Sequence, residues 1–261
     1  MRSLRVPVQT LTEGDQTLDS EASHYVLSVH RLRPGAAVVL FDPILGLEAA
    51  GTLLRATPKA AVCRLESPQP SRSIPHGAIT LIQAVAKGDK LDRVISDATA
   101  LGVTSIVFVQ TSRSVVRQGT GEPHERQRRW QRIAIDAARQ SGRGNIPTIL
   151  GPVDFETSIA EVAGLSLRIL LSPYATVPLR ELLTSQTPRP AAIFVGPEGG
   201  LSDEEQAALI AAQFTAVRFG DFTLRTELCA SAVLGAMLDW APAALMSDVA
   251  VAGSSAGPTC G

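Results

Sequence analysis

The sequence predicts an α/β protein in two parts, a small β-barrel or sandwich followed by a larger domain with a parallel sheet. Three observations support this prediction. The length of 261 residues accommodates one large or two unequal domains. Short apolar runs separated by turn residues fill residues 1–70, a pattern typical of small all-β domains. Strand and helix patterns alternate from residue 78 onward, which is typical of βαβ units.

The first part is predicted to contain four strands and one helix. The strands are residues 4–8, 36–41, 47–54 and 60–65, and the helix is residues 20–32 with Ser20 as its cap. The segment SPQPSRSIPHG carries three prolines and reads as a linker. We therefore expect a first domain over residues 1–70 and a linker over residues 71–77.

The second part, residues 78–245, is predicted to alternate strands with helices. Its strands are residues 78–85, 105–110, 148–150, 167–171, 191–195 and 216–219. Its helices are residues 89–101, 123–141, 179–183, 203–212 and 226–240. Residues 246–261 are small and polar without periodicity, so we expect a flexible tail.

Composition excludes several classes of protein. A hydrophobic fraction of 45% with 19% charged residues is wrong for a disordered or collagen-like chain. The three cysteines are far apart and show no metal-ligand spacing, so we expect a reduced compartment and no metal. No stretch is apolar enough to be a signal peptide or to span a membrane. The protein is therefore expected in the cytoplasm.

A glycine-rich turn is the strongest local signal of a binding site. In AAIFVGPEGGLSDEEQAAL, residues 191–209, a buried strand runs into a turn and then a helix that Ser202 and Glu205 can cap as a capping box. Open α/β sheets bind ligands at such strand ends. The plain alternative is an ordinary tight connection between strand and helix. Glu198 disfavours phosphate binding there and suits a ligand with positive charge or hydroxyl groups.

Two further loops follow predicted strands and accompany this turn. One covers residues 170–178, and the other leads through Arg225 and Glu227 into the last helix. Three loops at the ends of neighbouring strands can enclose one small ligand. The alternative for Arg225 and Glu227 is a surface salt bridge at a helix end.

An arginine-rich segment contrasts with the net charge of −1. Residues 113–145 hold eight arginines against three acidic residues, a local charge of +5. This excess predicts phosphate binding, and its alternative is a solvated helix face. Only three of the 24 basic residues are lysines, which a GC-rich genome also explains. Trp130 is expected to serve in packing.

Several motifs in one order resemble the RsmE family of 16S ribosomal RNA uridine N3 methyltransferases, members of the SPOUT superfamily. The similarity covers about residues 1–240. The motifs are HYVLSVHRLRPGAAVVLFD (24–42), AVAKGDKLDRVISDATALGVTSI (84–106), RSVVR (113–117), RWQRIAIDAARQSGRGNIP (129–147), GPEGGLSDEE (196–205) and LRTE (224–227).

The resemblance implies a PUA-like β-barrel that binds RNA, a trefoil-knotted methyltransferase domain and a homodimer. It implies S-adenosylmethionine (SAM) as cofactor and the 16S rRNA of the 30S subunit as partner. The residues implied to hold SAM are Leu171, Ser172, Gly196, Pro197, Glu198, Gly199, Gly200, Leu224, Arg225 and Thr226. Those expected to contact RNA are Arg5, Arg31, Arg113, Arg117, Arg126, Arg129, Arg132, Arg139 and Arg143.

Methylation at N3 of uracil requires removal of a proton about as acidic as that of tyrosine. We expect Arg225, with Arg5 or Arg31, to stabilise the developing charge, and Glu227 to be the general base. Leu228 and Cys229 stand where relatives carry threonine and alanine, so side-chain contacts to the cofactor differ there. Alternatives are methylation of another RNA atom, an assembly factor without catalysis, and a dinucleotide-dependent oxidoreductase. GPEGG does not match the GxGxxG of the oxidoreductases.

Overall fold

A computed structural model describes most of the chain, in two compact units. The described residues are 3–57, 60–71, 75, 78–86, 90–114, 123–185 and 190–240, with only the backbone of residues 238–240. The first unit comprises Met1–Ile74, Ile95–Gly102 and Gly119–Ile149, and the second comprises Pro75–Val94, Val103–Gln118 and Leu150–Gly261. The first unit thus includes two later segments besides the predicted N-terminal domain. The tail and most of the predicted linker lie outside the described residues.

The first unit contains a six-stranded, mostly antiparallel sheet. Its strands are β1 (Leu4–Pro7), β2 (Gly14–Thr17), β3 (Ala37–Asp42), β4 (Leu47–Ala56), β5 (Ala61–Leu65) and β6 (Gln69–Pro70). Their order is β1-β3-β4-β5-β2, with β6 beside β4, and the β1/β3 pair is parallel. Val6, Leu40 and Leu53 are fully buried in its core. Strand β2 was not predicted because its sequence, GDQT, has no apolar residue.

The predicted helix over residues 20–32 is wrong in its length and cap. Helix α1 covers only Ser20–His24 and continues as one π-helical turn, Tyr25–Val29. Asp19, rather than Ser20, caps it by accepting a hydrogen bond from the Ala22 amide at 2.8 Å. The helical segment ends before Arg31, whose φ of 51° is left-handed and does not fit a right-handed helix.

A second sheet has the predicted parallel arrangement. Its strands are β7 (Ile79–Ala84), β8 (Ser105–Val109), β9 (Thr148–Val153), β10 (Leu167–Leu171), β11 (Ala191–Val195) and β12 (Thr215–Val217). Their order is β12-β10-β11-β7-β8-β9, and β9 crosses the boundary of the two units in sequence. The pairs β7/β8, β7/β11, β10/β11 and β10/β12 are parallel. Strands with such continuous apolar runs are typical of sheets buried on both faces.

The remaining helices match the predicted pattern with one addition. They are α2 (Lys90–Ala100), α3 (Pro123–Ser141), α4 (Phe155–Ala160), α5 (Leu179–Thr184), α6 (Asp203–Ala211) and α7 (Thr226–Trp240). Helix α4 was not predicted, and Asp154 caps it. Phe194 of β11 and Leu209 of α6 lie in the core of the second unit. None of the described helices combines the length and apolar character that a bilayer-spanning segment needs.

Candidate functional site

A cavity of about 190 Å³ lies at the carboxyl ends of β10 and β12. Backbone hydrogen bonds of 2.9 Å, from Ser172 N to Val217 O and from Arg218 N to Val177 O, hold the two loops together. Parallel strands deliver their following loops to one edge of the sheet, which explains why these loops meet. The predicted cofactor residues that line the cavity are Leu171, Ser172 and Leu224.

Thr226, the first residue of α7, connects the glycine turn to β7 through its hydroxyl. The hydroxyl donates to the carbonyl oxygen of Gly196 at 2.8 Å and accepts from Nε2 of Gln83 at 2.7 Å. Thr226 is 5% exposed and Gln83 is fully buried. Gln83 is absent from the predicted site, although a lone amide in the apolar strand ITLIQA indicates a buried polar partner.

The glycine turn lies in contact with Arg113. Gly200 has a left-handed φ of +73°, and a Cβ on Gly199 would lie 3.4 Å from the Cβ of Arg113. The Arg113 guanidinium donates to the carbonyl oxygen of Gly199 at 3.2 Å. Arg113, which was predicted to contact RNA, is therefore an exposed neighbour of the predicted cofactor loop.

Helix α6 begins with the predicted capping box, and its glutamate has a second role. The Ser202 hydroxyl accepts from the Glu205 amide at 3.2 Å, and Oε2 of Glu205 accepts from the Ser202 amide at 2.9 Å. Oε1 of Glu205 accepts from the Ser112 amide at 2.6 Å. Glu205 thus fixes the segment that precedes Arg113 to the end of the glycine turn.

Lys90, the first residue of α2, lies between the two acidic residues of the predicted site. Its Nζ is 2.5 Å from Oε1 of Glu198 and 3.7 Å from Oε2 of Glu227. The hydrogen bond to Glu198 and the charges of both carboxylates raise the pKa of Lys90. Burial and the charge of Arg225 act in the opposite direction on this pKa. Lys90 belongs to the motif AVAKGDKLDR, yet the sequence alone did not assign it a role.

Arg225 is exposed beside this cluster, and no described residue forms a hydrogen bond or ion pair with its guanidinium. Glu227 is 9% exposed and pairs with Lys90. Of the two residues covered by the salt-bridge alternative, Glu227 forms an ion pair with Lys90, whereas Arg225 forms none among the described residues. A free guanidinium next to a buried carboxylate can hold an anionic or carbonyl oxygen of a substrate.

The two departures from the family pattern lie on different sides of α7. Leu228 is 48% exposed, whereas Cys229 is half-buried and lines the cavity. Burial raises the pKa of the Cys229 thiol to about 11. The thiol is therefore neutral near pH 7 and adds an apolar surface to the cavity wall.

Part of the predicted RNA surface is exposed. Arg126 is half-buried, with its guanidinium 5.5 Å above the ring of Trp130. Trp130 is 3% exposed, which confirms its predicted packing role. Arg117 lies outside the described residues. The exposed arginines among those predicted to contact RNA are Arg31, Arg113, Arg129 and Arg132.

Three other arginines that were predicted to contact RNA, Arg5, Arg139 and Arg143, instead contact neighbouring residues of the first unit. Arg143 is 5% exposed and donates to the Thr99 carbonyl, and burial lowers its pKa to about 10. A buried guanidinium does not reach an RNA phosphate, so Arg143 is corrected from an RNA contact to a structural residue. Arg5 pairs with Glu48 at 3.0 Å.

Arg139 lies over the ring of Tyr25, with its guanidinium carbon 4.3 Å from the ring centroid. It also pairs with Asp136 at 3.0 Å. These contacts occupy the guanidinium on two sides. The guanidinium of Arg139, like that of Arg5, is therefore engaged with side chains of the first unit. Within the described ranges, no three metal-binding side chains of His, Cys, Asp or Glu come together.

Comparisons with known proteins agree with this geometry. A family model described as an RNA methyltransferase domain matches residues 73–238. Ribosomal RNA small subunit methyltransferase E of Mycobacterium bovis is 32% identical over 229 residues, which cover 84% of each chain. Its namesake in Synechocystis is 30% identical over 225 residues, which cover 85% of this chain and 72% of the relative.

Two similar solved structures contain SAM. A methyltransferase of Legionella pneumophila in complex with SAM is 28% identical with a TM-score of 0.81. A ribosomal RNA small subunit methyltransferase E of Neisseria gonorrhoeae bound to SAM is 27% identical with a TM-score of 0.80. Each match covers 92% of this chain and 98% of the solved one. The chain therefore belongs to the RNA methyltransferase family of ribosomal RNA small subunit methyltransferase E.

Proposed function

We propose that this protein transfers a methyl group from SAM to N3 of a uridine in the 16S rRNA of the small ribosomal subunit. The observation that carries the proposal is the free Arg225 guanidinium and the buried Glu227 carboxylate at the head of α7, next to the cavity. Relatives named for small-subunit rRNA methylation and neighbours solved with SAM support the substrate and the cofactor.

The cavity residues fit SAM chemically. Leu171 and Leu224 offer apolar contact for a purine ring, while the Ser172 hydroxyl and the backbone of the loops offer polar groups for its edges and its ribose. Gly196–Gly200 would complete the site, since Thr226 holds Gly196 in place. When bound, SAM supplies a methyl group on a positively charged sulfur, and the carbon–sulfur bond breaks with its electrons on the sulfur.

The chain's own residues would perform the acid–base chemistry. Glu227 takes the N3 proton of the uracil, and the freed electron pair of N3 forms the new bond to the methyl carbon. Arg225 holds the O2 or O4 atom on which negative charge develops. N3 is hydrogen-bonded in a base pair, so the target uridine must be unpaired or flipped out.

RNA would bind to four arginines of the first unit, which we name the α3 surface: the half-buried Arg126 and the exposed Arg128, Arg129 and Arg132. Arg31, exposed on a left-handed backbone, is a further contact. Phosphate contacts of this kind position the RNA without reading its sequence. We also propose that residues 1–70 form a PUA-like β-barrel and that residues 78–245 form a domain knotted as in the SPOUT superfamily.

A homodimer and a cytoplasmic location complete the proposal. Tyr174 and Phe222, on the loops that follow β10 and β12, are 91% and 84% exposed. Large exposed apolar side chains in neighbouring loops are typical of a protein interface. Light scattering of the wild type and of Phe222→Ser tests this, because a dimer that survives the substitution contradicts the assigned interface.

Methyl transfer to 30S subunits from cells that lack this protein tests the function. Arg225→Ala should abolish transfer and leave SAM affinity within about threefold, since its guanidinium acts on the uracil and not on the cofactor. Arg180→Ala, which removes an exposed arginine of α5, is the matched control. Unchanged turnover in Arg225→Ala would contradict the assignment. A wild type that binds the subunit but not SAM would indicate an assembly factor.

A further inference from the structure

Lys90 forms a cluster with the carboxylates of Glu198 and Glu227. We propose that Lys90 is a positioning residue: it compensates the charge of the Glu227 carboxylate while leaving that carboxylate able to accept a proton. This inference rests on the proposed function, in which Glu227 is the general base. Lys90 would therefore act through Glu227 and would not touch the substrate.

The two distances from the Lys90 ammonium differ in a way that supports this role. At 2.5 Å, Oε1 of Glu198 accepts a hydrogen bond from Nζ. At 3.7 Å, Oε2 of Glu227 is within ion-pair range but beyond hydrogen-bond length. The ammonium thus stabilises the charge of Glu227 without occupying the lone pairs of Oε2.

The burial of Glu227 makes the difference between an ion pair and a hydrogen bond at its Oε2 important. Glu227 is 9% exposed, and its Oε2 has no hydrogen-bond partner among the described residues. A buried carboxylate oxygen without a donor is costly unless a cation lies near or a ligand supplies the donor. Lys90 is the cation, and the N3–H group of an entering uracil would be the donor.

Glu198 explains why the ammonium stays at this distance from Glu227. Glu198 lies in the glycine turn after β11, and its hydrogen bond draws Nζ toward that turn. The charge of Arg225 opposes the rise in the pKa of Lys90 and is the weakest of the influences on it. Lys90 faces the two carboxylates, whereas Arg225 stays exposed and free for the substrate oxygen.

A double-mutant cycle on the single-turnover rate separates positioning from direct contact. The rate is measured with SAM and 30S subunits at saturation in the wild type, Lys90→Met, Glu198→Gln and the double variant. Lys90→Met should lower the rate on the order of 100-fold, with the dissociation constants of SAM and of the subunits unchanged within about threefold. The double variant should be no slower than Lys90→Met, because both substitutions disturb the same carboxylate.

Two further variants control for folding and for charge. Lys90→Arg keeps a cation between the carboxylates and should recover part of the rate. Arg93→Met removes an exposed cation of α2, one turn beyond Lys90, and should leave the rate unchanged. Thermal unfolding of each variant should stay near that of the wild type.

Three results would overturn the inference. These are a wild-type rate in Lys90→Met, multiplied losses in the double variant, and a loss that weaker SAM binding accounts for entirely. A wild type that transfers no methyl group at all would instead contradict the proposed function. The failure of the two proposals is therefore distinguishable.

Discussion

At the scale of single residues, the buried Thr226 joins two elements of the site through its hydroxyl group. It donates a hydrogen bond to the carbonyl of Gly196 in the glycine turn and accepts one from the side-chain amide of Gln83 in β7. Thr226→Val keeps the shape and leaves both polar groups without this partner. We expect the free energy of unfolding to fall by about 1–3 kcal/mol and the affinity for SAM to fall with it.

Thr184→Val is the matched control for this prediction. The Thr184 hydroxyl is exposed, and within the described part of the chain it bonds only to the carbonyls of Arg180 and Glu181 in α5. The same substitution there should change stability by less than about 0.5 kcal/mol. Chemical denaturation and calorimetric titration of SAM measure both effects. Equal stabilities of the two variants would show that the Thr226 hydroxyl does not hold the turn.

Cys229 allows a pH-dependent test of the cavity wall. Burial raises the pKa of its thiol to about 11, so at pH 8 only about one thiol in a thousand is a reactive thiolate. Alkylation by iodoacetamide should therefore be slow at pH 8 and rise about tenfold per pH unit toward pH 11. SAM should slow it further, because Cys229 lines the cavity.

Peptide mass spectrometry in a Cys260→Ser background locates the alkylated thiol. Cys63 is fully buried, and burial raises the pKa of its thiol to about 11 as well, so it serves as the internal reference. A rate at Cys229 that levels off near pH 8.5 would contradict the buried position of the thiol.

Local patterns in the sequence predicted residues whose role depends on neighbours along the chain. Gly196–Gly200, Ser202 and Glu205 belong to one strand–turn–helix segment, so their arrangement was predictable. Lys90 and Gln83 were missed because their partners are 108 to 143 positions away. Only the packing of the sheet brings them together. Arg143 was misjudged because its buried guanidinium bonds the carbonyl of Thr99, which lies 44 positions away in the sequence.

At the scale of elements, the start of α6 links local capping to the site. Ser202→Ala removes one cap bond and should cost about 1 kcal/mol of unfolding free energy. Glu205→Ala should cost more, about 2–3 kcal/mol, because the amides of Ser202 and Ser112 both lose an acceptor.

Asp154→Ala provides the control for an ordinary cap. Asp154 caps α4 at an exposed position, where its carboxylate accepts hydrogen bonds from the amide and the hydroxyl of Thr157. In urea denaturation, Asp154→Ala should lower the free energy of unfolding by about as much as Ser202→Ala does. A Glu205→Ala variant no less stable than these two would show that its bond to the segment before Arg113 contributes nothing.

Elements were predictable where an apolar period or a cap marks them. The pattern predicted α3 over residues 123–141, and the structure has Pro123–Ser141. The π-helical turn at Tyr25–Val29 was not predictable, because its apolar residues also fit an ordinary α-helix. Strand β2 was missed because it depends on pairing with β5 and not on its own composition.

At the scale of the whole molecule, the net charge of −1 averages over regions of opposite sign. Residues 111–145 carry +5 and residues 146–261 carry −7. Replacing the four arginines of the α3 surface by glutamine should weaken RNA binding. It should also reduce the slope of log affinity against log salt by about 0.7 for each lost phosphate contact.

Filter binding at several salt concentrations measures this slope. Arg55→Gln and Arg180→Gln, at two exposed arginines elsewhere, form the control variant. An unchanged slope in the α3 variant would show that this surface is a solvated helix face and does not bind RNA phosphates.

The residues that make up each compact unit could not be predicted from sequence patterns. Residues 95–102 and 119–149 belong to the first unit, although they lie within the predicted second domain.

The atom that receives the methyl group tests the central claim most directly. Small subunits from cells that lack this protein are incubated with it and SAM, and the 16S rRNA is digested and examined by mass spectrometry. The account predicts one N3-methyluridine, formed by the wild type and not by Glu227→Gln. A methyl group on a ribose oxygen or on another base, or equal product from Glu227→Gln, would contradict it.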